Sequence, residues 1–309
     1  MNPLKVFDVG SNTGFASELA RLIDLRALPV EKKVFPNEEI YVRLTEDVSG
    51  EDVLLAGTTY PNPNEKILEI MLAIDAARRA GAKKITAAIG YMAYGRQDRV
   101  QRQGEAVSAS VVINAFLSAG LDELFIADYH NPDLLKAFPM KAHNVRVARA
   151  IGEYARKTYD LVDPVVVLPG SKALEDKYLL RAKEAAEGAG AKHYTTYIKE
   201  RDPVTGLVTT KKRELGVTGK DVLLVDDEIS SGSTVINAVK MLKEEGPSRI
   251  IVGCTHGIFA DGSLEKIRSL GVNDIISSDS IPSPTSKVHL APLFKEAMVN
   301  TGITLSGGA

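Results

Sequence analysis

The chain alternates short apolar runs with helix-like stretches along its length, and this alternation constrains the fold more than any other feature. The apolar runs that predict strands are Leu4 to Val9, Val53 to Ala56, Lys84 to Ile89, Glu123 to Ala127, Pro164 to Leu168, Asp221 to Val225, Arg249 to Gly253 and Asp274 to Ser277. The helix-like stretches between most of them are Gly14 to Leu25, Asn64 to Ala80, Val107 to Ala119, Val147 to Thr158, Lys172 to Glu187 and Val235 to Glu245. Because strand and helix alternate twice over, we predict an α/β fold with two mostly parallel sheets flanked by helices.

The two halves of the chain share a layout. Asn64 to Ile89 runs from a helix through a turn into a strand, and Val235 to Gly253 repeats that rhythm. We interpret the shared rhythm as a duplication, which predicts two similar domains over residues 1–145 and 146–309. No low-complexity linker marks the boundary, so the domains should pack tightly. The last helix, about residues 291–300, is a candidate to pack back on the N-terminal domain.

Length and cysteine usage exclude several classes of protein. At 309 residues the chain should bury about three quarters of its unfolded surface, so no disulfide is needed. Its single cysteine, Cys254, lies in an apolar stretch, which predicts a buried strand residue rather than a nucleophile and suits a reducing compartment. No apolar run approaches the ~20 residues of a membrane span, and the N-terminus lacks a signal-peptide pattern. We therefore expect a cytoplasmic protein without a membrane partner.

The charge balance argues against a nucleic-acid partner. Lys and Arg number 38 against 40 Asp and Glu, which gives a net charge of -2, and the chain has no tryptophan. Proteins that bind nucleic acids generally present a basic surface and aromatic rings on which bases stack. Any anionic ligand is therefore expected to be held by local groups.

The apolar run Val222 to Val225 leads directly into a polar segment. Ligands of open α/β folds bind at the carboxyl ends of such strands, where Asp226 and Asp227 can accept hydrogen bonds from sugar hydroxyls or bind a divalent cation through water. The residues that follow combine hydroxyl groups, a glycine and a helix N-terminus, which favours a phosphate: Ser230, Ser231, Gly232, Ser233 and Thr234. This order predicts a site for a phosphorylated sugar. The alternative is an ordinary acidic strand end followed by a serine N-cap.

A second polar cluster, Tyr91 to Arg99, also follows a predicted strand. Arg96 and Arg99 suit bidentate contacts with phosphate oxygens, while Gln97 and Asp98 can read a base or orient the arginines. The alternative is a surface turn held by salt bridges. No Gly-x-x-x-x-Gly-Lys-Ser/Thr loop occurs in the chain, so any use of ATP would not involve a P-loop.

These residues resemble the ribose-phosphate pyrophosphokinase family, also called phosphoribosyl pyrophosphate synthetases, over essentially the whole chain. Tyr94 to Arg99 followed by Gly104 to Ala109 resembles the ATP-side signature of that family, and Val225 to Thr234 resembles its ribose-5-phosphate loop. Neighbouring phosphoribosyltransferases share the second motif and lack the first. The resemblance implies two type I phosphoribosyltransferase-like domains, with ATP on the N-terminal one, ribose 5-phosphate on the C-terminal one, and a homo-oligomer of at least two subunits.

The resemblance also assigns an activity and roles. It implies transfer of the diphosphoryl group of ATP to the anomeric hydroxyl of ribose 5-phosphate, with Mg²⁺ as cofactor. The implied ATP-binding residues are Phe35, Asn37 and Glu39, in a hairpin that typically reaches a neighbouring subunit's site, together with Arg96, Gln97, Asp98 and His130. The implied ribose-5-phosphate residues are Asp226, Asp227, Ser230, Ser231, Gly232, Ser233 and Thr234, and the implied metal ligands are His130, Asp226 and Asp227. His143, His193 and His289 have no cluster around them, so no metal role is predicted for them.

Lys199 and Arg201 match the basic pair of the family's mobile catalytic loop, which implies a catalytic role. Attack on the β-phosphorus of ATP builds up negative charge, and a protein assists mostly by positioning and by cations that clamp this charge. Lys199 and Arg201 alternate, so in an extended segment both side chains project to one side. With a turn predicted at Asp202 to Gly206, the segment is expected to be a mobile hairpin that closes over substrates. The alternative is a solvated basic hairpin.

The chain departs from the family pattern at three places. Gly170 stands where the family usually has an aspartate that helps to hold magnesium and the ribose. Asn131-Pro132-Asp133 replaces the usual residues after the histidine, and Ser230 replaces a third acidic residue. Because the other matched residues are present, we expect a working enzyme. The alternatives are a non-catalytic regulatory paralogue of such a synthetase and a salvage phosphoribosyltransferase, against which the Arg96 to Arg99 cluster argues.

Overall fold

Two mostly parallel sheets organise the chain in the computed structural model, which describes residues 3–10, 13–171, 176–201, 208–211 and 214–303. Runs of buried valine, leucine and isoleucine form the central strands of both sheets. Such continuous apolar runs are typical of parallel strands that helices cover on both faces. The predicted fold class is therefore confirmed.

The first sheet consists of β1 (Leu4–Gly10), β2 (Ala27–Val34), β3 (Ile40–Leu44), β4 (Asp52–Thr58), β5 (Lys84–Ile89), β6 (Glu123–Ala127) and β7 (Lys141–Val145). Their order in the sheet is β3-β2-β1-β4-β5-β6-β7. Neighbours pair in parallel, except that β2 and β3 form an antiparallel hairpin. The helices of this half are α1 (Phe15–Leu22), α2 (Pro63–Arg79), α3 (Ser108–Ala119) and α4 (Pro132–Leu135).

The second sheet consists of β8 (Val165–Ser171), β9 (His193–Arg201), β10 (Val208–Lys211), β11 (Asp221–Ile229), β12 (Arg249–Gly257), β13 (Asp274–Ser278) and β14 (Ser286–Val288). Their order is β10-β9-β8-β11-β12-β13-β14, and here β9 and β10 form the antiparallel hairpin. The helices of this half are α5 (Ala148–Tyr159), α6 (Asp176–Ala189), α7 (Ser233–Glu245), α8 (Ser263–Ser269) and α9 (Leu290–Asn300).

The strand order of the second sheet repeats that of the first, which supports the duplication inferred from the sequence. The central strands also share their register when it is counted from Asp52 in β4 and from Asp221 in β11. By this register, Gly57-Thr58 in the first sheet occupies the position of Asp226-Asp227 in the second. The carboxylate pair is therefore a feature of the second repeat alone.

Each sheet buries its own apolar core under its helices. The first core includes Phe7, Ile70, Ile74, Ile85, Ile89 and Phe116. The second core includes Val167, Val222, Leu224, Val239, Leu242, Val252 and Cys254. Each large apolar side chain buried in this way contributes on the order of 1.5–3 kcal/mol to folding. Cys254 is fully buried in β12, as predicted, and burial raises the pKa of its thiol.

The chain divides into two compact units at Arg146 and Val147, close to the boundary expected at residues 145 and 146. The first unit also takes in Asp279–Ile281 and the described residues from His289 to Ile303. The second unit consists of Val147–Ser278 and Pro282–Val288. The helix that follows each repeat thus belongs to the unit of the other repeat: α5 to the second and α9 to the first.

Helix α9 packs against α1 within the first unit. The rings of Phe294 and Phe15 meet edge to face with centroids 4.9 Å apart. Lys295 Nζ donates a hydrogen bond to the carbonyl oxygen of Leu22 at 2.7 Å. Aromatic pairs in this geometry stabilise a contact beyond the burial of their area.

Two central strands of the second sheet are longer than predicted. β11 continues to Ile229 and β12 to Gly257, because the polar residues near the sheet edge still pair: Asp226 lies opposite Cys254, and Glu228 opposite His256. Asp226 and Asp227 therefore lie inside a strand rather than after it. Of the helices in the described ranges, none has the length and apolar character to cross a membrane.

Candidate functional site

The carboxyl end of β11 carries Asp226 and Asp227. Successive side chains of a strand point to opposite faces, and burial follows this alternation, because Asp227 is buried while Asp226 and Glu228 are partly exposed. The backbone N–H of Asp227 donates to Asp226 Oδ1 at 3.0 Å, which orients that carboxylate. The two aspartates thus face different sides of the strand, and Glu228, which was not predicted as a site residue, shares the face of Asp226.

The loop after β11 leads into the N-terminus of α7. Gly232 is the N-cap with a φ of 72°, and a Cβ there would lie 3.0 Å from Cβ of Ser263, so glycine suits the position. Ser263 Oγ also donates to the carbonyl oxygen of Ser230 at 2.7 Å, which anchors the loop. Ser231 and Ser233 are exposed, and no side chain of the described residues caps α7. The first-turn N–H groups and the serine hydroxyls can therefore bind an anion.

A basic side chain that the sequence interpretation missed reaches this strand end. Arg181 on α6 has Nη1 3.6 Å from Asp227 Oδ1. Arg181 and Asp227 are far apart in the sequence, and their contact depends on which face of α6 packs on the sheet. Neither the spacing of charges nor any short motif signals such a contact.

Gly170 lies at the end of β8, which neighbours β11 in the sheet. The pairing of β8 with β11 runs as far as Val167 and Leu224, and the register of β8 with β9 shifts between Leu168 and Ser171. Gly170 therefore lies in an irregular part of β8, beyond the residues that pair with β11.

Lys199 and Arg201 lie on β9, where Arg201 pairs with Val208 of β10 across the antiparallel hairpin. The backbone at both positions is extended, so the two positions share one face of the strand. The described part of the chain does not include the side chains of Lys199 and Arg201. It also leaves out the turn predicted at residues 202–206, which contains Thr205.

The second polar cluster, Tyr91 to Arg99, which was predicted to bind ATP, forms a turn after β5. Arg96 and Gln97 are exposed at its surface, while Asp98 is buried. Gln97 Oε1 accepts a hydrogen bond from Ser108 Oγ, and the Gln97 carbonyl oxygen accepts the N–H of Ala109 at 3.2 Å. These bonds tie the turn at Gln97 to the start of α3.

Asp98 holds two polar side chains in place. Arg99 donates to it from Nε at 2.9 Å and Nη2 at 3.0 Å, and Asn131 donates from Nδ2 at 2.7 Å. Burial raises the pKa of Asp98, but the hydrogen bonds from Arg99 and Asn131 and the charge of His130 outweigh burial, so the pKa is lowered. Asp98 therefore stays ionised and orients an arginine, one of the two uses that the sequence left open. His130, exposed after β6, lies beside the same turn.

The tip of the β2–β3 hairpin carries Phe35, Asn37 and Glu39. The N–H of Phe35 donates to the carbonyl oxygen of Glu39 at 2.8 Å, and the N–H of Glu39 donates to Asn37 Oδ1 at 3.4 Å. All three side chains are exposed, with Phe35 at 45%. In the sheet β2 is separated from β5 by β1 and β4, which amounts to roughly 14 Å at about 4.8 Å per strand. The hairpin stem is therefore not adjacent to the Arg96 turn in the sheet.

The donor set at the end of β11 fits magnesium. Mg²⁺ prefers oxygen ligands, and Asp226 offers a carboxylate on the partly exposed face of the strand, with Glu228 on the same face. Asp227, the other predicted ligand there, faces Arg181. His130, the third predicted ligand, belongs to the first unit.

A different group of side chains has the spacing of metal ligands. Among the residues that the structure describes, Glu18, Asp279 and His289 place one ligand atom each within 4.8 Å of one another. The sequence showed no cluster around His289, because these residues come from distant segments. His289 Nδ1 lies 3.0 Å from Asp279 Oδ2, a distance that an ordinary surface ion pair explains.

Two family models match the chain, one in each half. A model described as the N-terminal domain of ribose phosphate pyrophosphokinase matches residues 4–120. A model described as the phosphoribosyl transferase domain matches residues 143–280. Together they cover most of both sheets, the Arg96 turn and the loop after β11.

Similar proteins match over nearly the full length. A ribose-phosphate pyrophosphokinase of Thermococcus kodakarensis is 38% identical over 93% of this chain and 98% of its own length. One of Pyrococcus abyssi is 39% identical over 84% of this chain and 87% of its own length. The crystal structure of phosphoribosylpyrophosphate synthetase from Mycobacterium smegmatis, 27% identical, superposes with a TM-score of 0.84 over 97% of this chain and 98% of that chain. The chain therefore belongs to the ribose-phosphate pyrophosphokinase family.

Proposed function

We propose that this chain transfers the diphosphoryl group of ATP to the anomeric hydroxyl of ribose 5-phosphate, giving 5-phosphoribosyl 1-diphosphate and AMP. The observation that carries the proposal is that the similarity to ribose-phosphate pyrophosphokinases spans both units rather than the second alone. A salvage phosphoribosyltransferase would not need the N-terminal domain that matches this family.

Ribose 5-phosphate binds at the end of β11 in this proposal. The 5-phosphate accepts hydrogen bonds from the first-turn N–H groups of α7 and from the hydroxyl groups of Ser230, Ser231, Ser233 and Thr234. Gly232 lets the backbone approach the phosphate closely. Asp226 and Asp227 accept hydrogen bonds from the ribose hydroxyls. Support comes from the exposure of Ser231 and Ser233 and from the N-terminus of α7, which no described side chain caps.

ATP binds to the Arg96 turn of the first unit in this proposal. Arg96 contacts phosphate oxygens through its guanidinium group, while Gln97 and His130 lie at the same surface. Asp98 acts from behind by orienting Arg99. Support comes from the exposure of Arg96 and Gln97 over a turn that hydrogen bonds hold to α3.

Magnesium, when bound, neutralises charge on the transferring diphosphoryl group. We propose that Asp226 supplies a magnesium ligand in the second unit and that Asp227 contributes there through water. In the first unit, we propose that His130 lies near magnesium. Lys199 and Arg201 then stabilise the negative charge that grows on the diphosphoryl group in the transition state. Their positions on one face of β9 suit a joint action.

We further propose a cytoplasmic homo-oligomer in which the Phe35 hairpin contacts ATP of a neighbouring subunit. The hairpin tip is exposed and apolar at Phe35, and it lies beside a groove of about 750 Å³ that reaches Leu68 and Leu72 of α2. Exposed apolar groups around a groove are typical of an interaction surface. The single buried cysteine is compatible with a reducing compartment.

The test is AMP release by the purified protein. With ATP and excess magnesium, AMP should appear only when ribose 5-phosphate is added, in equal amount to 5-phosphoribosyl 1-diphosphate. Asp226→Asn should lower the rate without unfolding the protein. Absence of AMP under these conditions would reject the proposal, and a change in the activity of an added active synthetase would then favour the regulatory paralogue.

A further inference from the structure

Arg181 is a basic residue of α6 that turns toward the proposed ribose-5-phosphate end of β11. Its side chain is 25% exposed, and the side chain of Asp227, which it faces, is 10% exposed. The Arg181 Nη1 to Asp227 Oδ1 distance of 3.6 Å is that of an ion pair. Lys183, two residues further along the helix, is exposed. The contact is therefore specific to one face of α6.

The surroundings make this pair more significant than a surface salt bridge. Charge pairs that are mostly withdrawn from water interact more strongly than exposed ones, and removing one partner leaves the other charge uncompensated. Arg181 thus supplies a cation to Asp227 from the helix layer.

We propose that Arg181 is a positioning residue for ribose 5-phosphate, a role that rests on the proposed function. Its guanidinium group faces the Asp227 carboxylate and holds it toward one side of β11, so that the carboxylate accepts hydrogen bonds from the sugar hydroxyls without reorientation. Arginine suits this role better than lysine, because its planar group can face a carboxylate through two nitrogen atoms, whereas an ammonium group acts as a point charge.

The test compares three variants with wild type: Arg181→Met, Arg181→Lys and, as the matched control, Lys183→Met. Arg181→Met should raise the KM for ribose 5-phosphate about tenfold or more and leave the KM for ATP within about twofold. Arg181→Lys should recover part of the loss, because the charge is kept and the planar group is not. Lys183→Met should match wild type in both constants and in Tm.

A double-mutant cycle with Asp227→Asn tests the partner. If Arg181 acts through Asp227, Arg181→Met should add little to the effect of Asp227→Asn. Additive losses would reject the pairing. An equal rise of both KM values, or a lower Tm with unchanged KM values, would show that Arg181 is only structural.

Direct binding separates this inference from the proposed function. Calorimetric titration of ribose 5-phosphate into folded wild-type and Arg181→Lys protein needs no turnover. If wild type released no AMP, the proposed function would fail, yet weaker binding by the variant would still support the positioning role. Equal Kd values would overturn it.

Discussion

At the scale of single residues, the pKa values of two carboxyl groups of the first unit are shifted in opposite directions, by burial in one case and by hydrogen-bond partners in the other. Burial raises the pKa of Asp8 to about 6, although Lys32 works against it and Glu69 adds to it. Asp98 is also buried, yet its hydrogen bonds from Arg99 and Asn131 lower its pKa. The difference is that Asp98 has donors aimed at its carboxylate, whereas Glu69 takes the ion pair of Lys32 at 2.6 Å.

From the raised pKa of Asp8 we predict a measurable pH dependence of the free energy of unfolding. Its folded pKa lies above the ordinary value, so the folded protein holds a proton that the unfolded chain has released, and stability falls as the pH rises from about 4 through about 6. Asp8→Asn removes this effect. The variant should melt a few degrees above wild type near pH 8, and the difference should shrink near pH 5. A difference in Tm that is the same at both pH values would contradict the assignment.

We predict that replacing Lys199 changes turnover rather than ATP affinity. If it stabilises charge that develops only in the transition state, Lys199→Ala should lower kcat by about 10²–10³-fold and leave the KM for ATP nearly unchanged. Steady-state kinetics with ATP as the varied substrate provide the measurement. Lys192→Ala, an exposed lysine just before β9, is the control and should behave as wild type. Losses shared equally between kcat and the KM for ATP would mean that Lys199 binds the ground state.

At the scale of elements, α5 and α6 pack through a reciprocal pair of glycines. A Cβ on Gly152 would lie 2.1 Å from the carbonyl oxygen of Ala185, and a Cβ on Gly188 would lie 2.1 Å from that of Arg149. Each glycine therefore lies against the backbone of the other helix. Helices at this separation have no room for a methyl group unless they move apart.

Gly152→Ala and Gly188→Ala should each destabilise the protein. Overpacking typically costs about 1–3 kcal/mol, and at about 2–4 °C of Tm per kcal/mol the loss is readily seen in thermal melting. Lys183→Ala, an exposed substitution on α6, controls for helix propensity and should change Tm little. Unchanged melting of both glycine variants would mean that the helices can separate freely.

The sequence predicted central elements better than edge elements for a physical reason. Strands β1, β4, β5 and β6 are buried on both faces and therefore appear as apolar runs, whereas β2, with the sequence Ala-Leu-Pro-Val-Glu-Lys-Lys-Val, and β7 are partly exposed and carry charged or polar residues. The strands β3 and β14 were missed for the same reason, because both are partly exposed. Within the site, hydroxyl-rich loops were recognisable because their residues are consecutive. Arg181 was not, because a contact between a helix face and a strand end leaves no local pattern.

At the scale of the whole molecule, one duplicated topology carries two different sets of side chains. Gly57 and Thr58 of the first repeat correspond in register to Asp226 and Asp227 of the second. Thr58 Oγ1 donates a hydrogen bond to the carbonyl oxygen of Ser280 at 3.2 Å. The first repeat has its exposed arginine turn after β5. The strand order is thus common to both repeats, while the chemistry depends on the few residues at strand ends.

Mixing two defective variants tests whether subunits share a site. The variant Lys199→Ala has an intact β2–β3 hairpin. The double variant Phe35→Ala with Glu39→Ala has an altered β2–β3 hairpin but an intact Lys199. If the hairpin of one subunit serves the site of its neighbour, a mixed dimer has one site with both groups intact. Random exchange should then restore about a quarter of wild-type activity in an equimolar mixture of a two-fold dimer. The mixture should be denatured and refolded together, with separately refolded variants mixed afterwards as the control.

Activity that stays at the sum of the two variants after exchange would place Phe35 and Lys199 in the same subunit's site. Light scattering on the same samples shows whether exchange partners exist, because a monomer with full activity also excludes sharing. The geometry favours restoration. The hairpin tip is exposed, and its stem is separated by two strands from the one that leads into the Arg96 turn of its own sheet. A hairpin placed in this way is better suited to reach a neighbour than to close over ATP on its own subunit.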